Sequence, residues 1–445
     1  VEKVVDYAYL AYEMDQVKYK ELAAAAAAIQ EEGFIAYENG SLSTEEANEC
    51  AIAKTVPVYP TIDENGTYHV ANTAQMAYVT NIIKNENNAI NVALDGDVYF
   101  NTSMMMTDFY GDLDGQDHTI TVNIERTADN AAIFENIRGS EIKNLIVRGS
   151  IVTPNKYAAA IAAHAHDACK IYRVQSWVDI QGNIVGDGTH GGIIGVNESG
   201  TLDLSYSMFA GTMSGTAANN GGLVGWGSAT VDAKNCLIIA TITTSPESSN
   251  IIARNSVTAK DCYFLTPYGG TPAGAYQITE DQLANGYVTY MLNSGKTRKD
   301  VVWRQNLDGS DIHPTLDPTS KVVYMTADST FSNEMQNEIE KYEGTESDPY
   351  IINTPQDMAL LRRFMLPGRV NYVKLGADID MAEITSWTPL NMDGDKADGR
   401  NYQNIIDFDG QGHVISNFTC TDPNTSYNSF FGILNGNVRN VGFKN

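Results

Sequence analysis

The sequence predicts a mainly β protein: a right-handed parallel β-helix, or solenoid, with capping helices, a short helical segment before it and a second, partial solenoid unit after it. Three observations predict this fold. A short glycine-marked motif recurs about every thirty residues, a longer block occurs twice, over 61–147 and 343–445, and both consist of short β-prone runs joined by Gly, Asn and Asp turns. Self-similarity at such a period is the mark of a repeat architecture, in which each coil buries its apolar face only by stacking on the next.

The first segment differs from the rest. Val4, Tyr7, Ala11, Met14 and Val17 recur at helical spacing, Leu22 leads into the alanines 23–28 and Ile29, and Ser43-Thr-Glu-Glu46 forms a capping box. Helices are expected over 2–32 and 44–54, within a helical segment spanning 1–57. The solenoid domain is expected over 58–325, and the second unit over 326–445.

Each long block opens with an extended run, Tyr68-His-Val70 or Tyr350-Ile-Ile352. A capped helix follows. Thr73 is the expected cap in the first copy, ahead of Met76, Val79 and Ile83. In the second, Thr354 caps, Pro355 takes the first helical position, and Met358 and Leu361 face inward. Strands are expected at Val92–Val98 and Val373–Ile379. Then Leu113-Asp-Gly-Gln-Asp-His-Thr-Ile120 matches Phe408-Asp-Gly-Gln-Gly-His-Val-Ile415, and Ile142-Lys-Asn-Leu145 matches Val438-Arg-Asn-Val441.

The short repeat places Ile133, Ile161, Ile193, Leu223 and Ile251 in one register, 28, 32, 30 and 28 residues apart. Second strands follow at Ile171, Leu202, Val231 and Val257, and third strands at Phe209–Met213 and Leu237–Ile242. Stacked coils would sit about 4.8 Å apart. The Gly-Gly pairs before Ile193 and Leu223, with Ala159-Ala160 in the same place, fit a bend where a side chain is awkward. Open solenoid ends need covering. The helix after Thr73 suits the near end, and one opened by Thr279-Glu-Asp-Gln282, with Leu283, Tyr287, Met291 and Leu292 on one face, suits the far end.

Gly191-Gly-Ile-Ile-Gly195 and Gly221-Gly-Leu-Val-Gly225, each followed by a strand such as Val231-Asp-Ala-Lys-Asn-Cys236, resemble the GLUG repeat of bacterial secreted and surface proteins. Trp303-Arg-Gln-Asn-Leu307 through His313-Pro-Thr-Leu316 is similar to the segment that often closes such units. The resemblance covers about 60–320 and 343–445, and implies a β-helix on or outside the cell, often adhesive and not itself catalytic. The coils at Ile161 and Ile251 depart from it by lacking the glycines.

Composition narrows the functions. The chain has 445 residues and a formal net charge of −26, which repels nucleic acid and anionic membrane surfaces. Its five cysteines are far apart, with no CxxC, which argues against a disulfide framework. No leader pattern opens the chain, which reads as a processed or trimmed piece.

Candidate sites are each weighed against a structural role. Asp203 and Asp232 occupy equivalent outward positions on adjacent coils, an acid pair that could serve a glycosidase or bind a cation. His164-Ala-His166-Asp167 puts two imidazoles on one strand face, a conceivable metal site with no predictable third ligand. His118 and His413 recur at one position, as loop-bonding groups. Asp393-Gly-Asp-Lys-Ala-Asp-Gly399 fails the EF-hand pattern and reads as an acidic loop. Cys236 and Cys262 share a register position with Ser176 and Ser207, which suits small buried packing better than a catalytic thiol. Trp177, Trp226 and Tyr206 sit near coil corners and could hold sugar or protein. No catalytic residue, metal ligand or cofactor is assigned. The expected function is a monomeric, non-catalytic adhesion or binding module, extracellular or on the cell surface, with a glycan or protein ligand. The alternatives are a polysaccharide lyase or glycoside hydrolase, and a pure spacer.

Overall fold

A computed structural model describes residues 59–293, 301–326, 330–335, 338–366, 368–385, 387–390, 404–420 and 429–444. The expected N-terminal helices, Cys50 and the acidic loop at 393–399 lie outside the described residues. The fold is a parallel β-solenoid, as the repeats predict. The chain forms two compact units, one up to Glu280 and one from Asp281 onward. The expected boundary at 325/326 falls inside the second, because the Tyr287 and Tyr290 rings lie 5.9 and 5.7 Å from that of Phe331. Asn333 also bonds both the Leu307 amide and the Gln305 carbonyl.

In the first unit each coil contributes to three columns. The first column is a six-stranded parallel sheet of Met106–Phe109, Phe134–Arg138, Ala162–His166, Ile194–Asn197, Val224–Gly227 and Ala253–Arg254. The second runs through Tyr68–Val70, Val92–Leu94, Leu113–Asp114, the starts of Glu141–Thr153 and Lys170–Asp187, then Leu202–Ser205, Val231–Lys234 and Val257–Lys260. The third continues the long strands and adds Thr119–Glu125 below and Thr212–Ala218 above. Ile193 and Leu223 lie on parallel neighbouring coils, with the Ile193 amide on the Leu223 carbonyl at 3.0 Å. Inward positions form stacks such as Ile142–Ile171–Leu204–Ala233 and Ile124–Ile151–Ile180–Met213, all buried.

Two register expectations are corrected. Val224 pairs with Ala253, so Ile252 and not Ile251 sits over Leu223, and the ladder slips by one before Trp226 meets Arg254. Gln175 pairs with Met208, which sets Val174, not Ser176, beside Ser207; Ser176 lies in the rank of Phe209. Val92–Val98 and Val373–Ile379 each divide into two strands at a bend.

From the third rung on, the coils turn from the second column to the third through left-handed residues: Gln116 with Asp117, then Asn144, Arg173, Tyr206, Asn235 and Asp261, with φ between 46° and 63°. This conformation suits Asn and Asp and strains larger side chains, so neighbouring coils must impose it at Arg173 and Tyr206. At Tyr206 a coil-to-coil amide bond does so, its N–H reaching the Lys234 carbonyl at 3.0 Å as Asn235 N–H reaches Lys260, and Arg173 lies within a strand laddered to Glu141–Thr153. The Gly-Gly pairs have a different cause. A Cβ on Gly221 would stand 1.8 Å from the Val224 carbonyl oxygen, and one on Gly192 would enter the Phe209 ring. Close approach of atoms, not a left-handed backbone, demands glycine there.

The corner entering the first column holds a buried polar ladder. His190 Nδ1 accepts the Ala158 amide, the His190 amide donates to Asn220 Oδ1, and the Asn220 amide donates to Ser249 Oγ. Each side chain thus replaces a missing backbone partner on the coil before it. His190 is fully buried and its Nε2 has no partner; burial holds its pKa down to about 4.

The helix Thr73–Asn85 covers the near end, burying Met76, Val79 and Ile83. Its cap is Asn72, whose side chain accepts the Gln75 amide; Thr73 instead bonds the Tyr99 amide. An antiparallel strand, Thr61–Ile62, also covers the first rung. At the other end, the helix Glu280–Ala284 begins at the boundary between units, and Tyr287–Leu292 belongs to the second. There Gln305 bonds the Leu283 and Ala284 carbonyls and Thr289, and Asn293 bonds the backbone of the fully buried Trp303.

The second unit carries a solenoid of its own, a four-stranded parallel sheet of Tyr350–Ile352, Val370–Leu375, Ile405–Asp409 and Gly436–Arg439 beside a three-stranded one. Thr354 and Asp357 form a full capping box at the start of Pro355–Phe364, with Met358 and Leu361 buried.

Candidate functional site

Parallel stacking places Asp203 and Asp232 directly beside each other on neighbouring strands, within an outward rank that runs Glu141, Lys170, Asp203, Asp232, Thr258. Lys234 reaches Asp232 at 2.6 Å, while Asp203 Oδ1 is shielded and makes no hydrogen bond. The Asp232 bond is the first cause of the raised Lys234 pKa. The two carboxylates stand on one face rather than across a gap, which is not the arrangement of a glycosidase pair.

His118 and His413 face aspartates of the preceding coil rather than loop carbonyls: His118 lies 3.4 Å from Asp97, and His413 hydrogen-bonds Asp378 at 3.0 Å. The same aspartates accept the Thr119 and Val414 amides. Cys236 and Cys262 are buried over the Leu204 and Ala233 carbonyls, and burial pushes the Cys236 thiol well up, away from the reactive thiolate. The described cysteines are all free thiols. Trp177 and Trp226 do not share a face: Trp177 lies on the strand Lys170–Asp187 under Arg148, and Trp226 lies in the first column. Tyr206 is a buried corner residue packed edge-on against Tyr172. Among the described residues, no group of three or more His, Cys, Asp or Glu could hold a metal.

What stacking does bring together is a continuous band along the first column and its entry corner. Arg138 bonds Asp108 at 3.3 Å and pairs across the rung with His166, whose Nε2 lies 3.1 Å from Asn136 Oδ1. Burial, then the Arg138 charge, lowers the His166 pKa. The His166 ring stacks 6.2 Å from His164, which is held by Glu198 on one nitrogen and Asn130 on the other, each at 2.9 Å. Tyr157 lies 4.7 Å from the His164 ring, and the Lys156 ammonium sits 6.0 Å from the Tyr157 ring. Lys156 bonds Asp187 at 2.8 Å, Asp187 bonds Thr189 at 2.6 Å, and Arg254 bonds Thr189 at 3.2 Å while lying 4.7 Å over Trp226. Burial raises the Asp187 pKa, but Lys156, Thr189 and Arg254 outweigh it and leave a firm carboxylate. Two aromatic rings, two imidazoles and three cations therefore form one half-exposed surface drawn from several coils. The sequence shows its members singly; only the register reveals them as neighbours.

No protein-family model matches the chain, and no curated protein does. Among solved structures, the chain is similar to a crystal structure of a Bacteroides ovatus protein named as a candidate immunoglobulin A1 protease. The identity is 13%, the match covers 57% of this chain and 93% of that one, and the TM-score is 0.39.

Proposed function

We propose that this chain is a non-catalytic recognition module, extracellular or displayed on a cell surface, that binds a glycan or protein ligand on the band running from Arg138 to Trp226. The carrying observation is the ordered alternation of rings and bonded polar groups along that band. Each polar group is held by a neighbour, so little freedom is lost when a ligand docks, and preorganisation of this kind favours affinity. Trp226 and Tyr157 offer apolar ring surface, while Lys156, Arg254 and the second ring nitrogen of His166 offer polar contacts beside them. The net charge of −26 favours a partner other than nucleic acid or an anionic membrane. Among the described residues, no helix is long and apolar enough to cross a membrane.

The test is binding of the full chain to an array of glycans and extracellular proteins, with Trp226→Ala and Tyr157→Ala beside the parent. The expected result is saturable binding without change to the ligand, weakened at least about tenfold by either substitution. Shortened polysaccharide would replace this reading with a carbohydrate-active enzyme. An absence of binding would leave a spacer, and equal binding by the variants would move the site elsewhere.

A further inference from the structure

The second unit carries a cleft of about 490 Å³ lined by Glu346, Pro349, Tyr372, Val373, Lys374, Asp407 and Arg439. Its floor is the outward face of the four-stranded sheet, where Tyr372 stands beside Asp407 and Asn437 in one rank and Lys374 beside Asp409 and Arg439 in the next. Arg439 bridges Asp407 and Asp409, and Asn437 bonds the second oxygen of Asp407 at 3.3 Å. The two carboxylates of the floor are thereby braced, with one negative charge left over beside Lys374.

The walls are different. Among the described residues the Tyr372 hydroxyl, the Lys374 amine and the Glu346 carboxylate have no hydrogen-bond partner, and Arg439 keeps Nη2 unused. Free donors and free acceptors thus border one space of the size that small ligands occupy. The lining is mainly polar, and the Tyr372 ring and Pro349 add a small apolar surface. Two cations, Lys374 and Arg439, stand with three carboxylates there, Glu346, Asp407 and Asp409, so an ion of either sign meets like charge beside its counter-charge. A ligand with hydroxyl groups that both donate and accept, and with a C–H face for the ring, satisfies every one of these groups.

We infer that this cleft binds an uncharged saccharide, with Tyr372 under the sugar ring, and with Lys374, Arg439, Asp407 and Glu346 meeting its hydroxyl groups. The inference does not rest on the band in the first unit.

The experiment is titration calorimetry or ligand-observed NMR of the full chain with a panel of glucose, galactose, mannose, N-acetylglucosamine and their short oligomers. Glucuronic acid and glycine serve as ionic comparators. At least one neutral sugar is expected to bind, more tightly than either comparator. Tyr372→Ala should weaken it about tenfold and Lys374→Ala about fivefold, whereas Tyr372→Phe keeps the ring and most of the binding. The same titrations are repeated in the Trp226→Ala background, where the effects of Tyr372→Ala and Lys374→Ala should persist, which separates failure here from failure of the first site. The inference is overturned if no neutral sugar binds, if a comparator binds more tightly, or if a folded Tyr372→Ala chain binds as well as the parent.

Discussion

The turn at Leu113–Leu145 and the turn at Phe408–Val441 share one set of bonds. Asp114 and Asp409 each accept the amide two residues on at 3.0 Å. Asn144 and Asn440, both left-handed, reach back to those aspartates, again at 3.0 Å. The His118 and His413 amides close on the Gly115 and Gly410 carbonyls, and the Asp97 and Asp378 carboxylates receive the next strand. Their surroundings differ. The first unit goes on to glycine-marked coils with a buried polar ladder, while the second presents a charged cleft on its sheet. The turn is therefore a self-contained device for starting a solenoid, and its repetition says nothing of what each unit's faces do. Function resides in the outward ranks, where the two copies diverge.

The glycine-marked coils give the sharpest way to break this comparison. Gly221→Ala would force a Cβ into the Val224 carbonyl, a main-chain atom that cannot step aside. The cost is expected to reach about 3 kcal/mol, measured by urea unfolding, with lost amide protection confined to the first unit. Ala159 and Asn250 hold the same rank in neighbouring coils, so the demand comes from the tight turn and not from the rank itself. A Gly221→Ala chain as stable as the parent would remove that account.

The second difference lies in titration. His190 is kept neutral in the folded first unit, at a pKa of about 4, while an unfolded histidine titrates near 6.5. Its contribution is complete above the unfolded value and is lost as pH falls from about 6.5 to about 4, amounting to about 3 kcal/mol. Asp378 of the second unit sits in a different setting. The Val414 amide and then His413 lower the pKa of exposed Asp378, so that contribution is present above the ordinary carboxylate range and lost only in stronger acid. Urea midpoints between pH 7.5 and 4 should therefore fall steeply in the parent and flatten in His190→Asn. Parallel profiles would rule out the buried ladder as the acid-sensitive element.

The sequence carries the solenoid plainly because burial needs equal spacing in every coil, and spacing survives when residue identity does not. It hides the corners. Asp117, Asn144, Asn235 and Asp261 announce a left-handed turn, but Arg173 and Tyr206 adopt the same conformation only because coils on either side impose it. The pairing of Val174 with Ser207 has the same character, since matching apolar starts such as Ile171 and Leu202 misses Leu204, the true neighbour of Ile171. His190, Asn220 and Ser249 read as turn residues, and nothing local shows that each serves the coil before it. The band from Arg138 to Trp226 is legible only as scattered hints, His164 with His166 and Trp226, for the same reason.

The mildest prediction tests the likeness itself. If the turn is one device used twice, equivalent substitutions should cost the same in both units. Asn144→Ala and Asn440→Ala each lose the bond to an aspartate and place a Cβ-bearing residue without a local bond in the left-handed region. Together these are worth about 1–2 kcal/mol. Glycine accepts the conformation and forfeits only the bond, so Asn144→Gly and Asn440→Gly should recover most of the loss. The amides of Asp117 and Gly412, which donate to the carbonyls of Asn144 and Asn440 at 2.7 and 2.8 Å, report each turn separately by hydrogen exchange. A large cost in one unit and none in the other would mean that the shared bonds are a by-product of two differently stabilised folds.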